Sequence, residues 1–142
     1  MNELITYEQY ITASGKYPER LNSPELTDEL KENARALLEK VNIILNEVGV
    51  HSVTVSSGFR PSNVNANIEN AAPKSAHMLC QAIDIVDDKF QTIARLVFAR
   101  QDLMIKHDLW QEDMRSTKGK NSNWLHLDVK PRSERPLRVF KP

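Results

Sequence analysis

Eight apolar residues recur at helical spacing between positions 30 and 48: Leu30, Ala34, Leu37, Leu38, Val41, Ile44, Leu45 and Val48. Gly49 ends the run. A stripe of this kind is core packing rather than a cofactor surface. The chain has 142 residues, enough for one domain (1–142) to bury that stripe without disulfide staples. Cys80 is the sole cysteine, so no intramolecular disulfide is available and none is needed.

The segments around the long helix predict the rest of the fold. Residues 4–14 read as a short helix stopped by Gly15, and the stretch from Lys16 to Leu26 is turn-like around Pro18 and Pro24. Residues 51–57 are β-branched and short, hence a strand. Residues 58–76, rich in Asn, Pro, Ser and Ala, read as a long loop of the kind that often carries function. A strand at 81–86 precedes a second amphipathic helix at 88–106, with Phe90, Ile93, Ala94, Val97, Phe98 and Met104 on its apolar side. Residues 108–114 and 124–129 read as a hairpin, and 138–140 as a short edge strand. The expected class is α+β, a small antiparallel sheet with helices packed on one side.

Charge excludes one class of function. Lys plus Arg and Asp plus Glu both total 19, leaving no surplus of cations for a dedicated nucleic-acid binder. A local basic patch remains in the tail from Lys130 to Lys141. No stretch nears the roughly 20 apolar residues of a membrane span. The first residues lack a signal-peptide core, so the expectation is a soluble protein made in the cytoplasm, with no membrane or nucleic-acid partner.

The chemistry concentrates in two segments. His77 precedes the strand at 81–86 and Asp84 lies within it. In the strand at 124–129, Trp124, His126 and Asp128 share one face while Leu125, Leu127 and Val129 share the other. The leucine face belongs in the core, which turns His126 toward a cleft or water. Two imidazoles and a carboxylate make a standard protein set for a catalytic zinc. Three ligands leave the fourth position open for water, whose pKa the metal lowers toward about 7. A hydrogen-bonded structural histidine satisfies the same spacing.

The runs Ser57-Gly58-Phe59-Arg60-Pro61, Ser75-Ala76-His77 with Ala82-Ile83-Asp84, and Trp124-Leu125-His126 resemble the zinc D,D-peptidase family. That family includes D-Ala-D-Ala carboxypeptidases and phage L-alanyl-D-glutamate endolysins, and its fold is related to the hedgehog signalling domain. The resemblance extends from about Ser56 to Val129. It implies zinc held by His77, Asp84 and His126. It also implies a substrate role for Arg60, whose planar guanidinium can grip a carboxylate with two parallel hydrogen bonds. Ser75 is expected to steady the substrate or the loop. The implied substrates are peptidoglycan stem peptides containing D-amino acids, cut by a carboxypeptidase or an endolysin-type endopeptidase. The implied setting is a phage lysin or a bacterial protein derived from one, acting as a monomer, virion-associated or released to the cell wall.

Two positions depart from the family pattern. The family glycine is Cys80, where a glycine serves a special backbone conformation or a close approach. The acidic general base three residues before the last histidine is Asn123, which cannot take a proton at neutral pH. Glu112 and Asp113 on the partner strand and Asp128 beside His126 are the carboxylates that can substitute. Glu112 is the first choice, because its LWQED segment resembles an acidic segment of phage-type relatives. Asp128 can instead orient an imidazole. The alternative reading is a non-catalytic zinc-binding module of the same fold.

Overall fold

The structure is a computed structural model that describes residues 3–68 and 75–142. The first helix, α1 (Tyr7–Thr12), starts in a capping box in which Thr6 and Gln9 satisfy each other's backbone amides. The second, α2 (Asp28–Glu47), is capped by the Thr27 hydroxyl and carries Asp28 and Glu29 in its first turn, where the helix dipole favours them. Its stripe turns inward as expected: Ala34, Leu37, Leu38, Val41, Ile44 and Leu45 are buried. Asn42, on the same helix, gives and takes a hydrogen bond with the backbone of Ile5, tying the N-terminal segment to α2.

The sheet contains β1 (Val55–Ser57), β2 (Ala82–Asp87), β3 (Trp110–Glu112), β4 (Asn123–Asp128) and β5 (Val139–Phe140), in the order β1-β2-β4-β3-β5. The fold is α+β. Every pair is antiparallel except β3 with β5, which run parallel, so the sheet is mixed at one edge. The register of β2 against β4 fixes the two faces. Ala82, Asp84 and Val86 stand across from Asp128, His126 and Trp124 on one face. Ile83, Ile85, Leu125 and Leu127 are buried on the other. That second face meets α4 (Thr92–Phe98). The Asp87 carboxylate accepts from the amides of Ile93 and Ala94, and Gln111 Nε2 donates to the Ala94 carbonyl.

Three elements differ from the sequence reading. The strand expected at 51–57 is confined to β1. The loop expected at 58–76 contains a short helix, α3 (Ser62–Ala66), while its residues 69–74 lie outside the described residues. The single helix expected at 88–106 is two, α4 and α5 (Gln101–Lys106). Asp87 pins the start of α4, and Arg100 leaves helical geometry at φ −116°, ψ 61°. The break brings Leu103 and Met104 into the core. Phe90 precedes α4 and is 63% exposed, so it is not part of the apolar side.

Cys80 stands in a conformation that suits glycine. It follows the 3-10 turn Ala76–Leu79 in the left-handed region, at φ 56°. A side chain there costs on the order of 1–3 kcal/mol. The thiol is fully buried, and burial pushes its pKa up to about 12, so it is a packed, inert group. Relief of strain and loss of packing oppose each other on removal. Cys80→Gly is therefore expected to unfold within about 1 kcal/mol of the parent, unlike the ~2–5 kcal/mol of an ordinary core truncation. Cys80→Val, β-branched at positive φ, is expected to lose ~2 kcal/mol or more. Urea denaturation of the two variants measures both.

Candidate metal centre

The β2–β4 pair places Asp84 directly across from His126, and the turn before β2 folds His77 back over both. Ser75 starts that turn, its hydroxyl accepting from the His77 amide. The His77 carbonyl in turn accepts from the Arg60 amide, which joins the turn to the segment after β1. His77 Nε2 lies 3.2 Å from Asp84 Oδ2, and His126 Nδ1 lies 2.7 Å from Asp84 Oδ1. One donor atom from each of the three residues falls within 4.8 Å of the others, a group that can hold a metal ion. The outer ring nitrogens are also engaged. His77 Nδ1 meets the Gly58 carbonyl at 2.8 Å, and His126 Nε2 meets Asp128 Oδ2 at 2.8 Å. Two imidazoles aimed at one carboxylate, each braced from behind, fit a three-ligand metal site.

Arg60 borders the cluster. Its Nη2 lies 3.6 Å from Asp84 Oδ2, its Nε donates to the Ser57 hydroxyl at 3.1 Å, and its Nη1 approaches Asn65 Oδ1 at 3.5 Å. The carboxylates proposed as substitutes for the missing base separate clearly. Asp113 is held by Arg115, whose hydrogen bonds pull its pKa down to about 2. Asp128 is occupied by His126 and Arg132. β3 meets β4 at Trp110–Asp128 and Gln111–Leu127, so strand alternation puts Glu112 on the same side of the sheet as Asp128 and His126. Burial raises the Glu112 carboxyl above its ordinary range, against the opposing pull of His126, and the charges of Asp84 and Asp128 push the same way as burial. Asn123 stands on the opposite face from His126, and its amide donates to the Asp88 carbonyl.

Two parts of the centre escaped the sequence reading. The Gly58 carbonyl, which holds His77, sits inside the SGFRP run, but a backbone acceptor leaves no side-chain signal. Arg132, which holds Asp128, looks in the sequence like one of many cations in a basic tail.

In the metal-free protein the histidine–carboxylate cluster stores a proton. Burial disfavours a charged His126 ring, but hydrogen bonds to Asp128 and Asp84 outweigh it and raise the pKa from 6.5 to about 10. Burial likewise disfavours a charged Asp84, and His77 and His126 together outweigh it, holding the carboxyl well below its ordinary range. The raised histidine stabilises the fold fully below about pH 6.5, and that stability is lost as pH climbs toward about 10. The depressed carboxylate stabilises above its ordinary 3.8, and that is lost on acidification. With chelator present, the thermal midpoint is therefore expected to peak between about pH 4 and 6.5 and to fall steadily toward pH 10. A profile flat from pH 6 to 10 would contradict this.

Among the described residues, no helix is long and apolar enough to cross a membrane. Neither the curated proteins nor the solved structures compared with the chain give a match. A family model described as Peptidase M15 matches residues 6–128, a span that includes α1, the turn carrying His77, and all of β2 and β4. On that match the chain belongs to the peptidase M15 family, a family of zinc metallopeptidases.

Proposed function

We propose that residues 1–142 act as one zinc peptidase domain that hydrolyses peptidoglycan stem peptides containing D-amino acids, with His77, Asp84 and His126 as the metal ligands. The observation that carries this is the convergence of those three donor atoms within 4.8 Å in a chain of this family. Zinc, when bound, would polarise the scissile carbonyl and acidify a coordinated water. The remaining work falls to the chain. Arg60, beside the cluster, is suited to hold a substrate oxygen or carboxylate through its planar donors. Ser75 supports the His77 turn and so acts on the site through the backbone. Glu112, on the His126 side of the sheet and raised by burial, is suited to take the proton of the attacking water and pass it to the leaving amine. We further propose a lysin of phage type that works as a monomer on the cell wall, as a carboxypeptidase or an endopeptidase.

Metal analysis of the purified protein, followed by incubation with stem peptides and mass detection of the products, tests this reading. One zinc per chain and a defined cleavage product are expected. A folded chain that takes up no zinc would refute it. Asn123 supports a second reading, a zinc-binding module without catalysis, because its side chain is tied to Asp88 and offers no base. A zinc-loaded protein that cleaves none of the stem peptides favours that module.

A further inference from the structure

The two histidines of the cluster are held in opposite senses. The Gly58 carbonyl can only accept a hydrogen bond, so the proton of a neutral His77 ring sits on Nδ1 and Nε2 faces Asp84. At His126 the order is reversed. Nδ1 faces Asp84, and Nε2 faces the Asp128 carboxylate, which also can only accept. Resting on the zinc reading above, we infer that Asp128, gripped by Arg132, is a positioning residue that fixes the tautomer of His126 so that Nδ1 is the bare nitrogen turned to the metal.

The grip on Asp128 is thorough. The residue is 2% exposed. Its Oδ1 accepts from Arg132 Nη1 at 2.6 Å and from the Lys130 amide at 3.1 Å. Its Oδ2 accepts from Arg132 Nη2 at 3.2 Å and from His126 at 2.8 Å. Both oxygens thus face donors from two sides, and the carboxylate has no freedom to swing toward Asp84. Arg132 is held in turn. Its guanidinium lies 3.7 Å from the centre of the Phe140 ring, on the edge strand β5. Phe140 meets the His126 ring edge-on at 5.7 Å, which closes the circuit. A carboxylate behind a ligand histidine both orients the ring and makes its bare nitrogen a better donor. Asp128 does this without touching substrate.

Asp128→Asn is the discriminating change because the shape survives while one acceptor becomes a donor. Wherever the new amide group turns, it opposes a donor: either His126 or the Arg132–Lys130 pair. Turned toward His126 it demands the proton on Nδ1, the nitrogen the metal needs. Zinc affinity by chelator competition is expected to fall about 10–100-fold. Nitrogen-15 NMR of the imidazoles in the zinc-loaded parent is expected to give the Nε2–H form for His126 and the Nδ1–H form for His77. In Asp128→Asn the His126 signals are expected to move while those of His77 stay. Arg132→Met, which keeps a stem beside Phe140 and removes the fork, is expected to weaken zinc in the same direction by a smaller factor, and it carries the test if Asp128→Asn fails to fold. Zinc affinity in either variant equal to the parent's overturns the inference, as does a loss in which both histidines move together. A parent that takes up no zinc overturns the underlying reading as well.

Discussion

Asp84→Ala is expected to abolish zinc uptake and to lower peptide hydrolysis to the level of a chelator-treated control. Asp84 is the shared partner of both histidines, at 3.2 Å and 2.7 Å, so its removal would delete one of the three proposed ligands and release the other two from their common focus. It also strips a raised, buried imidazolium of one of its two carboxylates. Breaking a buried ion pair on one side typically costs about 3–5 kcal/mol. The metal-free variant is therefore expected to unfold earlier than the parent near pH 5–6 by something of that order. The gap is expected to narrow toward pH 10, where His126 is losing its charge in the parent as well. Metal analysis, stem-peptide cleavage and thermal unfolding at the two pH values check the three parts. Zinc retained in equal amount would remove Asp84 from the ligand set.

Glu112→Gln is expected to reduce kcat by about 10²–10⁴-fold with zinc affinity little changed, the size typical of general acid–base catalysis. The substitution keeps the shape and removes the proton acceptor. The raised carboxyl of Glu112 matters here, since a base works best when its pKa lies close to the working pH. Asp113→Asn is the control. Asp113 is bound to Arg115, so its loss is expected to leave kcat within about twofold of the parent, the usual size for a surface change away from the chemistry. Single-turnover cleavage with metal content measured alongside separates a lost base from a lost ligand. Undiminished cleavage in Glu112→Gln would reject the assignment.

Regular periodicity was the legible part of this chain. The 3.6-residue repeat of α2 and the two-residue alternation of β4 both appear where expected, and the latter alone turns His126 away from the leucine core. The same alternation accounts for Asn123. An odd spacing from His126 within one strand places it on the other face, where its amide donates to the Asp88 carbonyl. The split between α4 and α5 was not legible, because neither Gly nor Pro marks it. It arises from Asp87 fixing one helix start and from the core claiming Leu103 and Met104. The bracing of His77 was hidden for a similar reason. Backbone carbonyls are identical in every residue, and only the folded chain decides which one meets a ring nitrogen.

Gly58 joins parts of the molecule that are far apart in sequence. A Cβ there would lie 1.9 Å from the Tyr10 carbonyl oxygen, so α1 rests directly on the backbone that holds His77. The Tyr10 hydroxyl also donates to the Ala82 carbonyl, two residues before Asp84. On the proposed zinc reading, seating of the N-terminal helix and capture of the ion would be linked equilibria, and linkage is reciprocal. A cation that organises His77 and Asp84 would also fasten α1 to the sheet. Loosening α1 would in turn weaken hold of the ion, although the helix contributes none of the three proposed ligands.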